Sequence, residues 1–122
     1  SISSIENINS NQFYDKVLLN PFNVLLYIHA PWCSHCKSIE PILEHVASVY
    51  NKLNNDSNTP VIPTLVYRMD GSKNDIILMN LRIIGYPTIY FFKSNDKSNP
   101  IEYDGERTAE AIMTFIDLFI VN

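Results

Sequence analysis

The stretch from Val24 to Lys37 decides the fold, and it reads Val-Leu-Leu-Tyr-Ile-His-Ala-Pro-Trp-Cys-Ser-His-Cys-Lys. Its first part, Val24 to Ala30, is a nearly continuous apolar and β-branched run, which is typical of a strand covered on both faces. Pro31 and Trp32 end this run. From Ser34 to about Leu53 the chain predicts a long amphipathic helix, because apolar residues recur at helical spacing: Ile39, Ile42, Leu43, Val46, Val49, Tyr50 and Leu53.

The flanking sequence predicts further helices and strands around this strand and helix. In chain order they are a helix from Ser10 to Leu19, a strand from Thr64 to Met69, a short helix around Asn74 to Asn80, a strand from Thr88 to Phe92, a polar turn from Ser94 to Asn99, a short strand from Ile101 to Tyr103, and a helix with its N-cap at Thr108 that runs through Ile120. The last two strands are predicted to pair as a hairpin. Alternating helices and strands followed by a hairpin predict an α/β sandwich with parallel strands first and antiparallel strands at the end.

Length and composition predict one domain over residues 1–122. The chain has 122 residues, of which 46% are hydrophobic, enough for one buried core and too few for two ordinary domains. We expect a monomeric domain, either a mature form or one part of a longer protein.

The net charge of −4 argues against nucleic acid or an anionic membrane surface as the main partner. No apolar run approaches the roughly 20 residues that span a bilayer, and we expect no signal peptide in this chain.

The two cysteines, Cys33 and Cys36, stand where the predicted strand passes into the predicted helix. The first turn of a helix has unpaired backbone N–H groups and a partial positive charge, and both favour a thiolate at Cys33. Cys36 lies one turn deeper, where its sulfur can reach Cys33. The pair is predicted to exchange disulfides: Cys33 forms a mixed disulfide with a substrate, and Cys36 releases it. His35, as a partly cationic neighbour, would stabilise the thiolate and make the site more oxidising.

Other interpretations of the cysteine pair remain open at this point. One is a buried, inert pair, and another is zinc binding with one of the three histidines, although His35 cannot easily close a site with its own flanking cysteines. A disulfide framework would need more cysteines, and a zinc ribbon would need a second pair. Haem attachment needs a histidine directly after the second cysteine, and Lys37 occupies that position. We therefore predict neither a metal nor a cofactor.

The stretch from Ala30 to Lys37 closely resembles the active site of protein disulfide isomerases, in which the usual sequence is Ala-Pro-Trp-Cys-Gly-His-Cys-Lys. The chain also resembles that family at Pro41 inside the long helix, from Gly85 to Phe92, and from Tyr103 to Thr108. The similarity extends from about Phe13 to Phe119. It implies a thioredoxin fold, with a central mixed β-sheet flanked by helices on both faces.

The resemblance also implies roles for residues outside the cysteine pair. Pro87 would be a cis proline that faces the cysteines, keeps metals away and lets the backbone of Tyr86 pair with an extended substrate peptide. Trp32 would offer a flat apolar surface to unfolded chains. Arg107 would swing toward Cys36 and tune its pKa. Taken without the resemblance, a proline at position 87 is more often a strand-start proline, a core aromatic is the alternative for Trp32, and Arg107 is equally a solvated surface charge.

The chain departs from the family pattern at Tyr27, six residues before Cys33. The family usually has a buried glutamate there, which relays the proton of the second cysteine. A tyrosine, with a pKa near about 10, is a poor proton acceptor at neutral pH. We hypothesise that His29 serves instead, because strand residues two apart share a face and its pKa suits proton transfer.

The resemblance implies a thiol–disulfide oxidoreductase or isomerase that forms and rearranges disulfides in folding secretory proteins. Its partners would be unfolded or misfolded clients with thiols or disulfides, and glutathione or an upstream oxidase would re-oxidise it. The compartment implied is the lumen of the endoplasmic reticulum. Two alternatives stay open: a thioredoxin-like reductant, against which Ser34-His35 argues, and a client-binding adaptor with weak exchange activity, which only Tyr27 supports.

Overall fold

The computed structural model describes residues 3–58, 61–73 and 81–120. Its elements are, in chain order, β1 (Glu6–Asn7), α1 (Ser10–Phe13, continued by a π-helical turn over Tyr14–Leu18), β2 (Asn23–His29), α2 (Ser34–Asn54), β3 (Thr64–Asp70), β4 (Thr88–Lys93), β5 (Asp96–Glu102) and α3 (Ala109–Phe119). The short helix predicted for residues 74–80 lies outside the described residues. The strand and helix predicted around the cysteines are confirmed to within one residue at each end.

The five strands form one mixed sheet in the order β1-β3-β2-β4-β5. Strand β2 lies in the middle, parallel to β3 and antiparallel to β4, and β4 pairs with β5 as an antiparallel hairpin. The prediction of parallel strands followed by a hairpin is therefore correct. Because β2 is the central strand, its carboxyl end, from which the chain enters α2, has strands on both sides of it.

Helices cover both faces of the sheet, as the resemblance implied. Leu25 and Tyr27 of β2 pack against α2 and α3, whereas Val24, Leu26 and Ile28 pack against α1. All five side chains are fully buried. This explains why β2 has a continuous apolar run instead of an alternating one: both of its faces are in the core. Among the described residues, no helix is long and apolar enough to cross a bilayer.

The sequence-based prediction missed one edge strand and the first part of the other. Strand β1 was not predicted, because two residues carry no recognisable period. Strand β5 begins at Asp96, inside the stretch predicted to be a polar turn, and the actual turn is Ser94-Asn95. Its polar residues are those of an edge strand, and Lys97 attaches it to the end of α1 by donating to the carbonyls of Val17 and Asn20. Polar side chains and Pro100 concealed this strand from a pattern search.

The start of α3 was predicted correctly. Thr108 has extended backbone dihedrals, and its hydroxyl oxygen accepts a hydrogen bond of 3.1 Å from the N–H of Ala111. This bond satisfies one of the donors that the first turn of a helix leaves free. Ile112 and Ile116 of α3 are then fully buried beside α2.

Candidate active site

Cys33 is the N-cap residue of α2. The chain turns sharply after β2, with the N–H of Cys33 bonded to the carbonyl of Ala30 at 3.1 Å. Pro31 occupies the second position of this turn, where its fixed φ is favourable. Cys33 has extended dihedrals of φ −86° and ψ 113°, as a capping residue requires. The two cysteines therefore lie at the start of α2, the helix that follows β2 in the chain.

The sulfur of Cys33 accepts a hydrogen bond of 3.1 Å from the backbone N–H of Cys36. It takes the place of the oxygen that usually caps a helix and satisfies one of the unpaired donors of the first turn. This arrangement favours negative charge on the sulfur. Both cysteines are free thiols and both are buried, with 6% exposure at Cys33 and 2% at Cys36.

The loop before β4 forms the opposite wall of the site. The peptide bond between Tyr86 and Pro87 is cis, as the resemblance implied. The thiol of Cys33 donates to the carbonyl oxygen of Tyr86 at 3.5 Å. The structure thus brings Cys33, Cys36, Tyr86 and Pro87 together, although Cys33 and Tyr86 are 53 residues apart in the chain.

An apolar rim borders the cysteine pair on the side of Trp32 and Tyr86. Trp32 is 73% exposed, so the alternative that it is a core aromatic is wrong. Its ring meets the ring of Tyr86 edge to face, with 5.8 Å between the centroids. Ile84, in the same loop as Tyr86, is 83% exposed. Large apolar side chains that remain in water beside a reactive group are suited to contact another chain.

Cys36 faces the polar side chain of Tyr27. The Tyr27 hydroxyl lies 3.2 Å from the carbonyl oxygen of Cys36 and 2.9 Å from Oε2 of Glu40, so it can donate to either. Burial raises the pKa of the Cys36 thiol, and the nearby Tyr27 hydroxyl opposes this by lowering it. Burial also raises the pKa of Tyr27, which therefore stays protonated at neutral pH.

Glu40 connects this buried hydroxyl to the protein surface. Its other carboxylate oxygen, Oε1, pairs with the guanidinium of Arg68 on β3, and Arg68 donates to Asn7 at 2.8 Å. The side chain of Glu40 is 32% exposed. Tyr27, Glu40 and Arg68 thus form a line of polar contacts that starts at Cys36 and ends in solvent.

Sequence reasoning missed Glu40 and Arg68. A signal for Glu40 was available, because it stands four residues after Cys36 and so lies on the same face of α2. Arg68 had no such signal. It reaches Glu40 because β3 pairs in parallel with β2 and places Arg68 opposite Tyr27, and that register is a property of the folded sheet.

His29 lies on the face of the sheet expected from strand alternation, and its ring stacks on that of Tyr27 with 5.5 Å between centroids. Burial lowers the pKa of His29, and the charge of Asp70 opposes this effect. The contact is with the ring of Tyr27, whereas the hydroxyl is directed to Cys36 and Glu40. The role of His29 as the proton acceptor stays a hypothesis.

The other two predicted site residues are on the surface. His35 is exposed in the first turn of α2, between the cysteines. Arg107 is also exposed, and with Pro87, Ile89 and Tyr103 it lines a small cavity of about 90 Å³. Their roles stay predictions. In the part of the chain that the structure describes, no three His, Cys, Asp or Glu side chains converge as metal ligands would.

Comparisons with known proteins agree with this fold. A sequence model of the Thioredoxin family matches residues 4–118. Protein disulfide-isomerase A4 of Mus musculus is 36% identical over 106 residues, which are 85% of this chain and 15% of that protein. Protein disulfide isomerase-like 1-2 of Oryza sativa is 43% identical over 103 residues, which are 84% of this chain and 18% of that protein.

A solved structure extends the similarity to three dimensions. The first thioredoxin domain of mouse Protein disulfide-isomerase A4 is 30% identical, with a TM-score of 0.73. The alignment covers 94% of this chain and 74% of that domain structure. The chain spans less than one fifth of the two full-length relatives, so the comparison concerns one domain of each. This chain belongs to the thioredoxin family and is a domain of the type found in protein disulfide isomerases.

Proposed function

We propose that this domain exchanges disulfides with protein substrates, with Cys33 as the attacking thiol and Cys36 as the resolving thiol. The observation that carries the proposal is the position of the Cys33 sulfur. It caps α2, accepts the N–H of Cys36, and faces the carbonyl of Tyr86 beside the cis bond to Pro87. An inert buried pair would not require a helix N-terminus, an apolar rim and an acceptor carbonyl around one sulfur.

The reaction has two displacement steps. In the first, the Cys33 thiolate attacks a substrate disulfide, a mixed disulfide forms, and one substrate sulfur leaves as a thiolate. In the second, the Cys36 thiol loses its proton and attacks the sulfur of Cys33, which releases the second substrate sulfur and leaves a Cys33–Cys36 disulfide. Run in reverse, the same two steps transfer the disulfide to a substrate with two thiols.

The surroundings of the pair supply the remaining roles. The exposed Trp32 contacts the apolar side chains of an unfolded client, and the carbonyl of Tyr86 accepts a backbone N–H from it. Pro87 holds that carbonyl toward Cys33. His35 stabilises the Cys33 thiolate by its charge, and Arg107 moves toward Cys36 and lowers its pKa during resolution.

The preferred direction is donation and rearrangement of disulfides. The protein disulfide-isomerase names of the relatives support this direction, and so does a histidine between the cysteines. A disulfide donor needs an oxidising compartment, and we place this one in the lumen of the endoplasmic reticulum. Its clients are unfolded or misfolded proteins with thiols or disulfides, and glutathione or an upstream oxidase re-oxidises it.

The reduction potential of the Cys33–Cys36 pair tests this proposal. The domain is equilibrated in glutathione buffers, the thiols are trapped with an alkylating agent, and the reduced fraction is read by mass. A potential near about −180 mV is expected for a disulfide donor or isomerase. A value near about −270 mV would identify a thioredoxin-like reductant and overturn both the direction and the compartment.

A second assay separates catalysis from client binding. The domain is mixed with a protein that has scrambled disulfides, and recovery of native activity is followed. Wild type is expected to accelerate recovery, and Cys33→Ser with Cys36→Ser is expected to remove the acceleration. Equal recovery with the double variant would favour the client-binding adaptor.

A further inference from the structure

The buried position of Cys36 creates a problem for the resolving step. Cys36 is only 2% exposed, and burial raises the pKa of its thiol. It must nevertheless lose a proton before it can attack the mixed disulfide, because the thiolate is the nucleophile. Bulk water has little access to this sulfur. A group beside it must therefore take the proton away, and this argument rests on the function proposed above.

The Tyr27 hydroxyl is the polar side-chain group that the structure places next to Cys36. It lies 3.2 Å from the Cys36 carbonyl oxygen, in the same buried cluster as the thiol, and it opposes the rise that burial causes in the pKa of that thiol. Tyr27 is fully buried and stays protonated, because burial raises its pKa. It is therefore no base by itself. A hydroxyl can, however, accept one proton while it donates another.

Glu40 provides the acceptor for that second proton. Its Oε2 lies 2.9 Å from the Tyr27 hydroxyl, within ordinary hydrogen-bond distance. The ion pair with Arg68 favours the ionised carboxylate, which is the form that can accept. The side chain is one-third exposed and can pass the proton on to water.

We propose that Tyr27 and Glu40 form the proton path of the resolving step. The Cys36 proton moves to the oxygen of Tyr27 as the Tyr27 proton moves to Oε2 of Glu40, and Glu40 then releases it to solvent. Tyr27 ends the step as neutral as it began. The path runs in reverse when a substrate is oxidised and Cys36 is protonated again. A carboxylate on α2, acting through a strand tyrosine, thereby does what the family assigns to a buried glutamate in the strand.

Four other titratable or charged groups face this path. Cys33 lies beside Cys36 on α2, and its charge raises the pKa of both Cys36 and Tyr27. Arg68, on β3, lowers the pKa of Tyr27 and pairs with Glu40. His29 stacks on the Tyr27 ring, and Asp70 acts on His29. His29 is the competing acceptor that the test has to separate from Glu40.

The test measures the resolving step alone. Reduced domain is mixed with excess oxidised glutathione, and the fluorescence of Trp32, the only tryptophan in the chain, follows two phases. Formation of the mixed disulfide depends on the glutathione concentration, whereas displacement of glutathione by Cys36 does not. Both rates are recorded between about pH 6 and 8, where the hypothesised His29 acceptor would titrate.

The expected result is a selective loss in the second phase. Tyr27→Phe removes the hydroxyl and keeps the ring, and Glu40→Gln removes the charge and keeps the shape. Each is expected to slow resolution by about tenfold or more at pH 7, since general acid–base catalysis contributes about 10²–10⁴. The remaining rate should rise about tenfold per pH unit, because hydroxide then removes the proton. The double variant should be no slower than the slower single variant.

The chain offers a matched control in Tyr50. This buried tyrosine also lies between a backbone carbonyl and a carboxylate, those of Met113 and Asp117, but on α2 away from the cysteines. Tyr50→Phe and Asp117→Asn should leave both phases within about twofold of wild type. If Glu40→Gln resolves the mixed disulfide at the wild-type rate and with the wild-type pH profile, the proposed path is wrong. This outcome can be read even if Tyr27→Phe does not fold. A loss confined to His29→Ala would overturn it in favour of His29.

Failure of the proposed function gives a different result. If wild type forms no mixed disulfide with glutathione, the exchange function itself is wrong. If wild type forms and resolves it while Tyr27→Phe and Glu40→Gln behave as wild type, only the proton path is wrong.

Discussion

The sulfur of Cys33 lies 3.5 Å from the carbonyl oxygen of Tyr86, the residue joined to Pro87 by a cis peptide bond. In the reduced domain the thiol donates to this oxygen. Once Cys33 is a thiolate or part of a mixed disulfide, it has no proton to donate, and the carbonyl is left with an unmet acceptor. A backbone N–H of a bound substrate can then take the place of the thiol. The carbonyl oxygen of Tyr86 can thus accept a hydrogen bond both in the free, reduced domain and in the domain with a bound substrate.

The two cysteines are expected to respond differently to substitution. Cys36→Ser should accumulate a stable mixed disulfide on Cys33, because resolution needs the second sulfur. Cys33→Ser should form no such adduct, since the remaining thiol is buried. Turnover should fall by about 100-fold or more in both. Non-reducing electrophoresis and intact mass after incubation with a disulfide-bonded protein check this, and adducts on Cys36 in Cys33→Ser would contradict it.

Replacing His35 should make the site more reducing. A positive charge beside the Cys33 thiolate stabilises the dithiol form, so His35→Ala should lower the reduction potential by about 10 to 30 mV, up to a tenfold change in the exchange equilibrium. His45→Ala is the matched control, because His45 is an exposed histidine farther along the same helix. Its potential should match wild type. If His35→Ala and His45→Ala lowered the reduction potential equally, the effect would come from the charge of the whole helix and not from the position of His35.

Gly71→Ala should destabilise the domain and disturb the rim of the site. A Cβ at Gly71 would lie 2.6 Å from Cε1 of Tyr86 and 2.7 Å from Cγ2 of Ile28, and Ile28 is in the core. The cost should be about 1–3 kcal/mol of unfolding free energy, the usual price of overpacking. Urea denaturation measures it, and displacement of the Tyr86 ring from Trp32 should change the tryptophan emission.

Gly85→Ala is the control for that substitution. A Cβ there meets nothing within 4 Å, and Gly85 has no positive φ. Its unfolding free energy should stay within about 0.5 kcal/mol of wild type. A similar loss in both variants would mean that the loop, and not the contact at Gly71, is sensitive to added side chains.

The buried tyrosines should make the fold sensitive to alkaline pH. Burial raises the pKa of Tyr27 and of Tyr50, and the Asp117 carboxylate raises that of Tyr50 further. A folded-state pKa above the unfolded value of about 10 stabilises the fold below pH 10. This stability should be lost as the pH rises above 10. Denaturation at about pH 9 and 11, with tyrosinate absorbance at 295 nm, measures it.

Tyr50→Phe separates the contribution of that residue. The variant should be less stable at neutral pH by about 1 kcal/mol, because the hydroxyl loses its bonds to Met113 and Asp117. It should also lose less stability than wild type between pH 9 and 11. An unchanged slope would show that Tyr50 is free to ionise in the folded state.

The parts of the fold that were predictable from sequence are those with long, strong patterns. Strand β2 and helix α2 were predictable because a run of six buried residues and a stripe of apolar residues leave few alternatives. The Thr108 cap had a local signal as well. Strand β1 and the first part of β5 could not be predicted, because β1 is held by pairing with β3, far along the chain, and the start of β5 is polar and is anchored by Lys97.

The candidate site divides in the same way. The cysteine pair and its place at a helix start follow from local sequence, and the position of Pro87 followed from resemblance. The polar side chains around Cys36 could not be predicted from local sequence or from the resemblance. The direction of the Tyr27 hydroxyl depends on how α2 crosses β2, and Arg68 reaches Glu40 only through the register of β2 and β3. Contacts between elements depend on tertiary packing, which periodicity does not encode.

The composition of the two edge strands has a consequence for the function proposed above. An open strand edge is a template on which an unfolded client could add its own strand and aggregate with its catalyst. Here β1 is only two residues long, and β5 contains Pro100, which has no N–H to donate to an added strand. The length of β1 and the proline of β5 therefore limit the pairing of a further strand at either edge. Under the function proposed above, a client would therefore be bound at the cysteine site and not through strands added to the sheet, which favours its release after the exchange.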